Sequence, residues 1–342
     1  MTKVEPDAPM VSVCTIAYNV EPFIRDTIES VLMQKVNFSM EFVISEDVST
    51  DGTAAVIREY AEKYPHLIRF IEGEKNLGMN RNFMRAISAC RGKYVAIVDG
   101  DDYWTDPNKL QTQVDFLESH PECSFCGTAT KVYYQARDEF VPGHPELPED
   151  DGAIHYFDVA DLYELWLFWI PTHSLMVRNE YVELPPWFPE SSSFDRALRL
   201  ILALKGKAAY INKNMCVYRK HGTNFTNHQP HSYLRRCAEV YKNVYLFSGK
   251  QHYRVARAAV NHAIYAERLQ IHDETHGWQK FKTLCSNSLY AFRQFRVTEW
   301  KDVFRFPYHY LFLGDAVRWA KKLLSGARKE NADSSQPTRG QQ

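Results

Sequence analysis

The stretch that decides the fold is YVAIVDGDDYW, residues Tyr94–Trp104. It begins as a short, β-branched apolar run and ends in three carboxylates followed by two aromatic residues. This order is typical of a buried strand that leads directly into an acidic loop. What precedes the stretch determines how that strand sits in a sheet.

Working back from Tyr94, short apolar runs alternate with longer helical periods. The pattern predicts strands over 11–17, 41–46, 67–72 and 94–99, and helices over 21–34, 53–63 and 80–89. Three successive β-α-β units require a mostly parallel α/β sheet flanked by helices, with right-handed crossovers. In such sheets ligands bind at the carboxyl ends of the strands.

Polar residues stand at these predicted strand ends: Tyr18-Asn19, then Asp47 with Ser49–Thr53, then Asp99–Asp102. No G-x-G-x-x-G follows the first strand, and no G-x-x-x-x-G-K-[ST] occurs in the sequence. A dinucleotide dehydrogenase and a P-loop enzyme are therefore disfavoured. The predicted crevice is lined with carboxylates, which repel a diphosphate unless a divalent cation lies between them.

Asp99 and Asp101 are spaced to supply that cation site. Two carboxylates two residues apart at a strand end offer hard oxygen ligands to Mg²⁺ or Mn²⁺ and leave other positions free for phosphate oxygens. The alternative is a solvated turn in which Asp102 caps a helix. The position after a fourth parallel strand favours the metal site.

Four motifs in order then resemble the family 2 glycosyltransferases of the GT-A fold, of the non-processive bacterial type. They are Val11–Asn19, Ser45–Thr53, Asn76-Leu77-Gly78 with Asn82, and Val98–Trp104. A weaker similarity runs to about residue 225. It includes Pro171-Thr172-His173-Ser174, Ser193-Phe194-Asp195 and a Tyr218-Arg219-Lys220-His221 ending.

The resemblance implies a role for each matching residue. Asp47 would bind the uracil edge, Asp99 the ribose and the metal side, and Asp101 the metal directly. Asp195 would be the catalytic base, and His221 would approach the metal or the diphosphate. The other implied nucleotide contacts are Ala17, Tyr18, Asn19, Asn82 and Gly100.

Two departures from the family pattern concern the nucleotide loops. Glu46-Asp47-Val48 stands where Asp-Asp-Gly is more common, so the turn lacks its permissive glycine. The loop from Leu77 to Asn82 is shorter than the common arginine-bearing version, which leaves Arg81 without a clear nucleotide role. For Asp51, capping of the helix from Thr53 is at least as good an interpretation as ligand binding.

The net charge of the 342-residue chain changes sign near residue 225. The first 225 hold 22 Lys and Arg against 33 Asp and Glu, a net −11, whereas the remainder holds 19 against 9, a net +10. The acidic part disfavours nucleic acid as a partner, and the basic part is suited to an anionic surface. Seven scattered cysteines read as ordinary buried thiols.

These features predict a GT-A catalytic domain over 1–225, a helical, basic and aromatic region over 226–324, and a disordered tail over 325–342. Residues 290–324 hold ten aromatic residues with seven Lys or Arg, which suits either peripheral contact with an anionic membrane or packing on the catalytic domain. The aromatic residues Trp166, Phe168 and Trp169 would line an acceptor pocket or fill the core. No run is long and apolar enough to span a bilayer, and the N-terminus lacks a signal-peptide pattern, so a cytoplasmic protein is expected.

The resulting functional hypothesis is a metal-dependent inverting glycosyltransferase in surface polysaccharide synthesis. It would move a sugar from a nucleoside diphosphate donor, with UDP favoured, to a glycan or lipid-linked glycan. The alternatives are a sugar nucleotidyltransferase and a non-catalytic nucleotide-sugar or glycan-binding module. Residues 17–21 lack the glycines and cation that the former needs, and the latter would be expected to have lost D-x-D or the base.

Overall fold

The first four strands are β1 (Val11–Ala17), β2 (Met40–Glu46), β3 (Ile68–Ile71) and β4 (Tyr94–Ile97). Strands β1, β2 and β4 are almost wholly buried, whereas β3, at the edge of the sheet, exposes Arg69. A computed structural model describes residues 8–143, 152–159, 162, 170–191, 193–224 and 232–249. All of them lie in the first of the two compact units of the chain, Met1–Leu284.

These strands pair in parallel in the order β3-β2-β1-β4. Helices α1 (Glu21–Leu32), α2 (Thr53–Lys63) and α3 (Met79–Ala89) connect them. On each helix the buried residues recur at helical spacing, as Ile24, Ile28 and Val31 do on α1. The predicted parallel α/β sheet is confirmed, and its elements differ from the predicted bounds by about two residues at most.

The second part of the chain extends the same sheet with longer-range pairings. Its strands are β5 (Tyr103–Trp104), β6 (Cys123–Tyr134), β7 (Glu139–Pro142), β8 (Ile154–Phe157), β9 (Met176–Arg178) and β10 (Lys207–Lys220). Strand β9 lies antiparallel between β4 and β6, and β10 pairs in parallel with β6. Its helices are α4 (Lys109–Ser119), α5 (Phe194–Ala203) and α6 (Ser232–Phe247).

Gly100 fixes the acidic loop against the end of β1. A Cβ atom there would lie 2.9 Å from the Ile16 carbonyl oxygen, so only glycine permits this approach. The Thr27 hydroxyl of α1 lies 3.0 Å from Gly100 O and 2.7 Å from Asp102 O. Trp104 is 1% exposed and anchors the far end of the loop in the core.

Several predicted features fall outside the described residues. These are the aromatic residues Trp166, Phe168 and Trp169, the aromatic stretch 290–324 and the tail 325–342. In the predicted region 226–324 the structure describes α6 and the two residues after it. Among the described residues, no helix combines the length and apolar character needed to cross a membrane.

Candidate active site

The acidic loop after β4 presents three carboxylates with different surroundings. Asp99 and Asp101 are partly accessible, whereas Asp102 is 1% exposed. Asp102 therefore does not form the solvated cap considered from the sequence. Its Oδ1 accepts a hydrogen bond of 2.8 Å from the backbone N–H of Arg219, which ties the loop to the end of β10.

Asp101 and His221, which the family resemblance assigns to the metal, are in contact. Nε2 of His221 lies 3.1 Å from Asp101 Oδ2, and the Asn224 amide nitrogen lies 3.3 Å from the same oxygen. Nε of Arg219 donates to Asp101 O at 3.1 Å. The end of β10 thus encloses the D-x-D loop, and Asp101 keeps a side chain that is 23% exposed.

A second group of ligand atoms includes Asp99, Asp102 and His173, whose donor atoms all lie within 4.8 Å of one another. His173 Nδ1 is 2.8 Å from Asp102 Oδ2, yet that oxygen has no aligned hydrogen bond among the described residues. The contact is thus a close approach of two polar atoms rather than a well-directed bond. Burial lowers the pKa of His173 to about 4, so the imidazole is neutral.

The charge balance at Asp99 suits a cation. Burial and the charges of Asp102 and Asp101 raise the pKa of Asp99 to about 8, and Asp195 adds to this effect. Repulsion of this kind disappears when a divalent ion lies among the oxygens. Hard carboxylate donors together with the unsatisfied Asp102 Oδ2 therefore fit Mg²⁺ or Mn²⁺.

Two ligand sets share Asp99: the predicted one with Asp101 and His221, and the buried one with Asp102 and His173. A cation that contacts a diphosphate must keep coordination positions open toward the crevice. Asp101 meets this requirement because its side chain is 23% exposed, whereas the side chains of His221, His173 and Asp102 are 5%, 4% and 1% exposed. Asp101 is therefore the carboxylate that is open to the crevice, and the ligand set of Asp99, Asp101 and His221 stays a prediction.

The loop after β1 lines the crevice beside Gly100. Ala17 is buried and Tyr18 is 48% exposed, which leaves its ring available to a ligand. Asn19 adopts a positive φ of 52°, and its Oδ1 accepts a 2.8 Å bond from Thr50 N. The first two strand ends are thus joined by a side chain that the sequence had assigned to the nucleotide.

Asp47 is 2% exposed and binds the neighbouring loop. Its two carboxylate oxygens accept 2.8 Å bonds from the backbone N–H groups of Leu77 and Gly78. The Asn76 amide in turn donates to Asp47 O at 2.8 Å. The carboxylate thus shapes the 76–78 loop, and its contact with a uracil edge stays a prediction.

Asn82 lies beneath β2 rather than at the crevice surface, with 2% exposure. Its Oδ1 accepts from the Ser45 hydroxyl at 2.7 Å and from Arg85 at 2.9 Å, while its Nδ2 donates to Ser45 O at 3.1 Å. Both ends of the amide are therefore already bonded within the protein. Its assignment to the nucleotide also stays a prediction.

In the turn after β2, Val48 stands where the family pattern has glycine, and the Glu46 side chain stabilises the backbone there. Val48 adopts φ 61°, the left-handed conformation that glycine would take without strain. Oε2 of Glu46 accepts a 3.0 Å bond from Val48 N, and Oε1 accepts one from Ser49 N. The buried glutamate stabilises a turn that the side chain of Val48 disfavours.

Asp51 joins two helix starts. One carboxylate oxygen accepts bonds from Thr53 N at 3.0 Å and the Thr53 hydroxyl at 2.6 Å, and the other accepts from Glu21 N at 3.2 Å. Burial opposes its ionisation, but these donors outweigh it and lower the pKa of Asp51. The capping interpretation describes these contacts, although Gly52 rather than Asp51 is the residue at the cap position.

Asp195 lies in the first turn of α5, as the sequence predicted. Its Oδ2 is 3.1 Å from the Arg199 guanidinium, and the Ser193 hydroxyl donates to Oδ1. Burial alone would raise its pKa, but Arg199, Ser193 and Arg196 together outweigh this and hold the pKa of Asp195 below its usual value. Asp195 is therefore ionised, and its negative charge contributes to the raised pKa of Asp99.

The structure adds site residues that the sequence did not single out, namely Asp102, His173, Arg199, Arg219 and Asn224. Three carried a signal: Asp102 is the third carboxylate of the loop, and His173 and Arg219 lie in the two stretches of weaker family similarity, 171–174 and 218–221. Arg199 acts through one helical turn, and Asn224 through a contact with a residue 123 positions away. No pattern in a single sequence distinguishes these two from ordinary surface residues.

Comparison with known proteins shows which family these motifs match. The model of the family described as Glycosyl transferase family 2 matches residues 12–179. An uncharacterised protein of Mycobacterium tuberculosis is 36% identical over 217 residues, 61% of this chain and 58% of that protein. TuaG of Bacillus subtilis, named as a candidate teichuronic acid biosynthesis glycosyltransferase, is 35% identical over 42% of this chain and 57% of its own. The chain thus spans less than two thirds of these relatives.

Solved structures share the fold at low identity. Staphylococcus aureus TarS, residues 1–349, has a TM-score of 0.59 at 18% identity over 83% of this chain and 80% of its own. The same protein has been solved with UDP. The mannosyltransferase PcManGT from Pyrobaculum calidifontis, solved with GDP-Man and Mn²⁺, has a TM-score of 0.51 at 16% identity over 86% and 85% of the two chains.

Proposed function

Because the chain belongs to glycosyl transferase family 2, we propose that it is a metal-dependent inverting glycosyltransferase. It moves one sugar from a nucleoside diphosphate donor to a hydroxyl group of a glycan or lipid-linked glycan in surface polysaccharide synthesis. The observation that carries the proposal is that the end of the acidic strand-end loop and the carboxylate of Asp195 are both hydrogen-bonded to one short segment, residues 170–174, through Trp104 on one side and Arg199 on the other. A sugar transferred between them would have a base on one side and a diphosphate site on the other.

The donor side is formed by the ends of the first four strands. Tyr18 is exposed in the loop after β1, and Asp47 fixes the 76–78 loop. We favour uridine as the base because TarS, which shares this fold, was solved with UDP. Asp99 and Asp101, with His221 beside Asp101, are the residues that would hold Mg²⁺ or Mn²⁺. A cation bound there would neutralise the charge that develops on the leaving diphosphate.

Asp195 supplies the proton chemistry. Its carboxylate accepts the proton of the acceptor hydroxyl while that oxygen attacks the anomeric carbon from the face opposite the diphosphate. The new glycosidic C–O bond forms as the bond to the β-phosphate oxygen breaks, and the nucleoside diphosphate leaves with the electron pair. A single displacement inverts the anomeric centre. The lowered pKa keeps Asp195 ionised, and proton transfer occurs late, when the attacking hydroxyl has become acidic.

A nucleotidyltransferase would use similar acidic groups, but it needs a glycine-rich, basic loop for a triphosphate. The loop after β1 has the sequence AYNVE, residues 17–21, without a glycine or a cation. A non-catalytic binding module would not need to keep both D-x-D and an ionised Asp195. These features favour transfer of a sugar.

The first test is incubation with a panel of UDP-, GDP- and dTDP-sugars and Mn²⁺, with release of nucleoside diphosphate as the readout. We expect slow hydrolysis of one donor and faster release when a matching acceptor is added. The same panel with EDTA is the control. Absence of release and of binding for every donor would refute the proposal, and release of pyrophosphate from a nucleoside triphosphate and a sugar phosphate would favour the nucleotidyltransferase.

The proposal places the enzyme in the cytoplasm, at the inner face of the membrane, where a lipid-linked acceptor is reached. It rests on the +10 charge after residue 225 and the aromatic stretch 290–324. Sedimentation with anionic vesicles at low salt should bring the full chain down, and high salt should release it. Equal sedimentation with neutral vesicles, or no sedimentation with either kind, would contradict the contact with an anionic membrane. A soluble glycan would then be the better candidate for the acceptor.

A further inference from the structure

Residues 170–174 lie between the acidic loop and the helix that carries Asp195, and we call them the bracket segment. On the loop side, Trp104 Nε1 donates to His173 O at 2.8 Å. The His173 ring also approaches Asp102, with 2.8 Å between Nδ1 and Oδ2. Gln113 of α4 donates to Ser174 O at 2.9 Å. Two hydrogen bonds therefore hold the segment to the acidic loop and to α4, and the His173 ring adds a close polar approach to Asp102.

On the other side, Arg199 of α5 holds the same segment. Its Nη1 donates to Ile170 O at 2.8 Å and lies 3.4 Å from the Thr172 hydroxyl. Its Nη2 bonds Asp195 Oδ2 at 3.1 Å. The guanidinium is a planar fork with fixed donor directions, so one side chain sets both the bracket segment and the carboxylate.

These contacts are buried. Arg199 is 6% exposed and His173 is 3% exposed. Polar groups that are buried and bonded on several sides have few alternative positions, because moving one leaves another unsatisfied. Hydrogen bonds thus connect Trp104 to the bracket segment at His173 O, and connect the segment at Ile170 O through Arg199 to Asp195, while the His173 ring approaches Asp102.

We infer that residues 170–174 are a rigid bracket that sets the position of Asp195 relative to the acidic loop, with His173 and Arg199 as positioning residues. The inference rests on the proposed function, since it concerns the alignment of that reaction. A single displacement requires the base and the leaving group to lie on opposite sides of one carbon. A displacement of about 1 Å can lower the rate about a hundredfold.

The experiment compares Arg199→Met, His173→Gln and the double variant in the full chain, with Mn²⁺ affinity and kcat as readouts. We expect each single variant to keep its Mn²⁺ dissociation constant within about threefold and to lose kcat at least about tenfold. Because the two residues act through one bracket, the double variant should lose much less than the product of the single losses. His155→Gln, on β8, is the matched control and should leave kcat unchanged.

The pH profile separates the two residues. Arg199→Met removes the guanidinium that lowers the Asp195 pKa, so the acid limb of kcat should move to higher pH, with Ser193, Arg196 and Asp99 as the remaining groups that act on Asp195. His173→Gln should leave that limb in place. Arg199→Lys should restore part of kcat.

Two results would overturn the inference. Losses that multiply in the double variant would show independent sites, and a Mn²⁺ affinity lowered more than about tenfold by His173→Gln would make His173 a metal ligand. If either variant fails to fold, Thr172→Val and Trp104→Phe are used in its place. Each removes one hydrogen bond to the bracket segment, on the Arg199 side and on the acidic-loop side respectively.

Hydrogen exchange gives a readout that needs no turnover. Addition of Mn²⁺ with whichever of UDP, GDP and dTDP binds the chain should slow exchange in residues 193–203 of the wild-type chain, and His173→Gln should abolish that effect. Unchanged exchange in the wild-type chain would refute the bracket. Lack of turnover with every donor, by contrast, would refute the proposed function.

Discussion

The two parts of the sheet bury different ionisable groups. Up to Asp102 the chain buries the carboxylates of Glu41, Glu46, Asp47 and Asp102, whereas the part from β6 to Asn224 buries three arginines and two histidines, Arg178, Arg199, Arg219, His173 and His221. Three of these residues reach back to the acidic loop: the His173 ring and the Arg219 backbone N–H contact Asp102, and the His221 ring contacts Asp101. Both parts are therefore needed to form the site: the first supplies the carboxylates of the acidic loop, and the second holds that loop in place.

The strongest test of this division removes a carboxylate that both parts share. Asp101→Ala should lower turnover at least about a hundredfold, because charge on the leaving diphosphate would lose its counter-ion site. Release of nucleoside diphosphate and Mn²⁺ binding measure the effect, and a melting temperature close to that of the wild type would show an intact fold. Asp115→Ala, on the exposed face of α4, is the control. Full activity of Asp101→Ala in EDTA would refute the metal assignment.

The next test concerns the carboxylate of the second part. Asp195→Asn keeps the size and the first-turn position of the side chain but cannot accept the acceptor proton as a carboxylate does. We expect kcat to fall about a hundredfold or more, with donor affinity and melting temperature near those of the wild type. Steady-state kinetics together with donor titration make the measurement. Retention of most activity would make Asp195 structural.

A third test concerns the stability of the second part. Arg178 of β9 donates to Cys123 O at 2.8 Å and to the carbonyls of Leu117 and His120, all within the interior or near it. Arg178→Met should lower the free energy of unfolding by about 3 kcal/mol, because several buried acceptors lose their donor. Urea denaturation provides the value. Arg69→Met, which removes one exposed bond to Ala89 O, should cost less than about 0.5 kcal/mol; equal losses would contradict the argument.

The smallest effect belongs to the first part. Val48 has a backbone φ of 61°, which glycine adopts without strain. Val48→Gly should therefore raise the free energy of unfolding by about 1 kcal/mol through relief of strain. The greater entropy of glycine in the unfolded chain offsets part of this gain. Thermal and urea unfolding would both detect the gain. A loss of stability would mean that Val48 packs against its surroundings well enough to outweigh the strain, and Val56→Gly within α2 is the matched destabilising control.

The same contrast separates what the sequence could predict from what it could not. The first part repeats strand and helix at local spacing, so Val11–Ala17 and Tyr94–Ile97 were readable from periodicity, and the carboxylates followed at their ends. Family resemblance rather than periodicity assigned Asp101 and His221 to one site, and their role at a metal stays a prediction. Contacts such as Arg219 with Asp102 join residues 117 apart, and their formation depends on how β10 enters the sheet.

Burial changed the meaning of other residues. Asp102 looks like its neighbours in sequence, yet it lies in the interior because Trp104, two residues later, is anchored in the core. Asn82 and Asp47 carry groups that suit a nucleotide, and the structure bonds them to Ser45, Arg85, Leu77 and Gly78. A residue type indicates which bonds are available, and only the fold decides which partner takes them.

The antiparallel insertion of β9 between β4 and β6 has a consequence for biosynthesis. Strands β1 to β4 leave the ribosome before β9 is made, so one edge of β4 has no partner while residues 98–175 are translated. An unpaired strand edge is a template for association with another chain. Contacts that close such long loops also form slowly. We expect nascent chains stalled before residue 176 to depend on chaperones, and yield in recombinant expression to respond to a slower rate of synthesis over this interval.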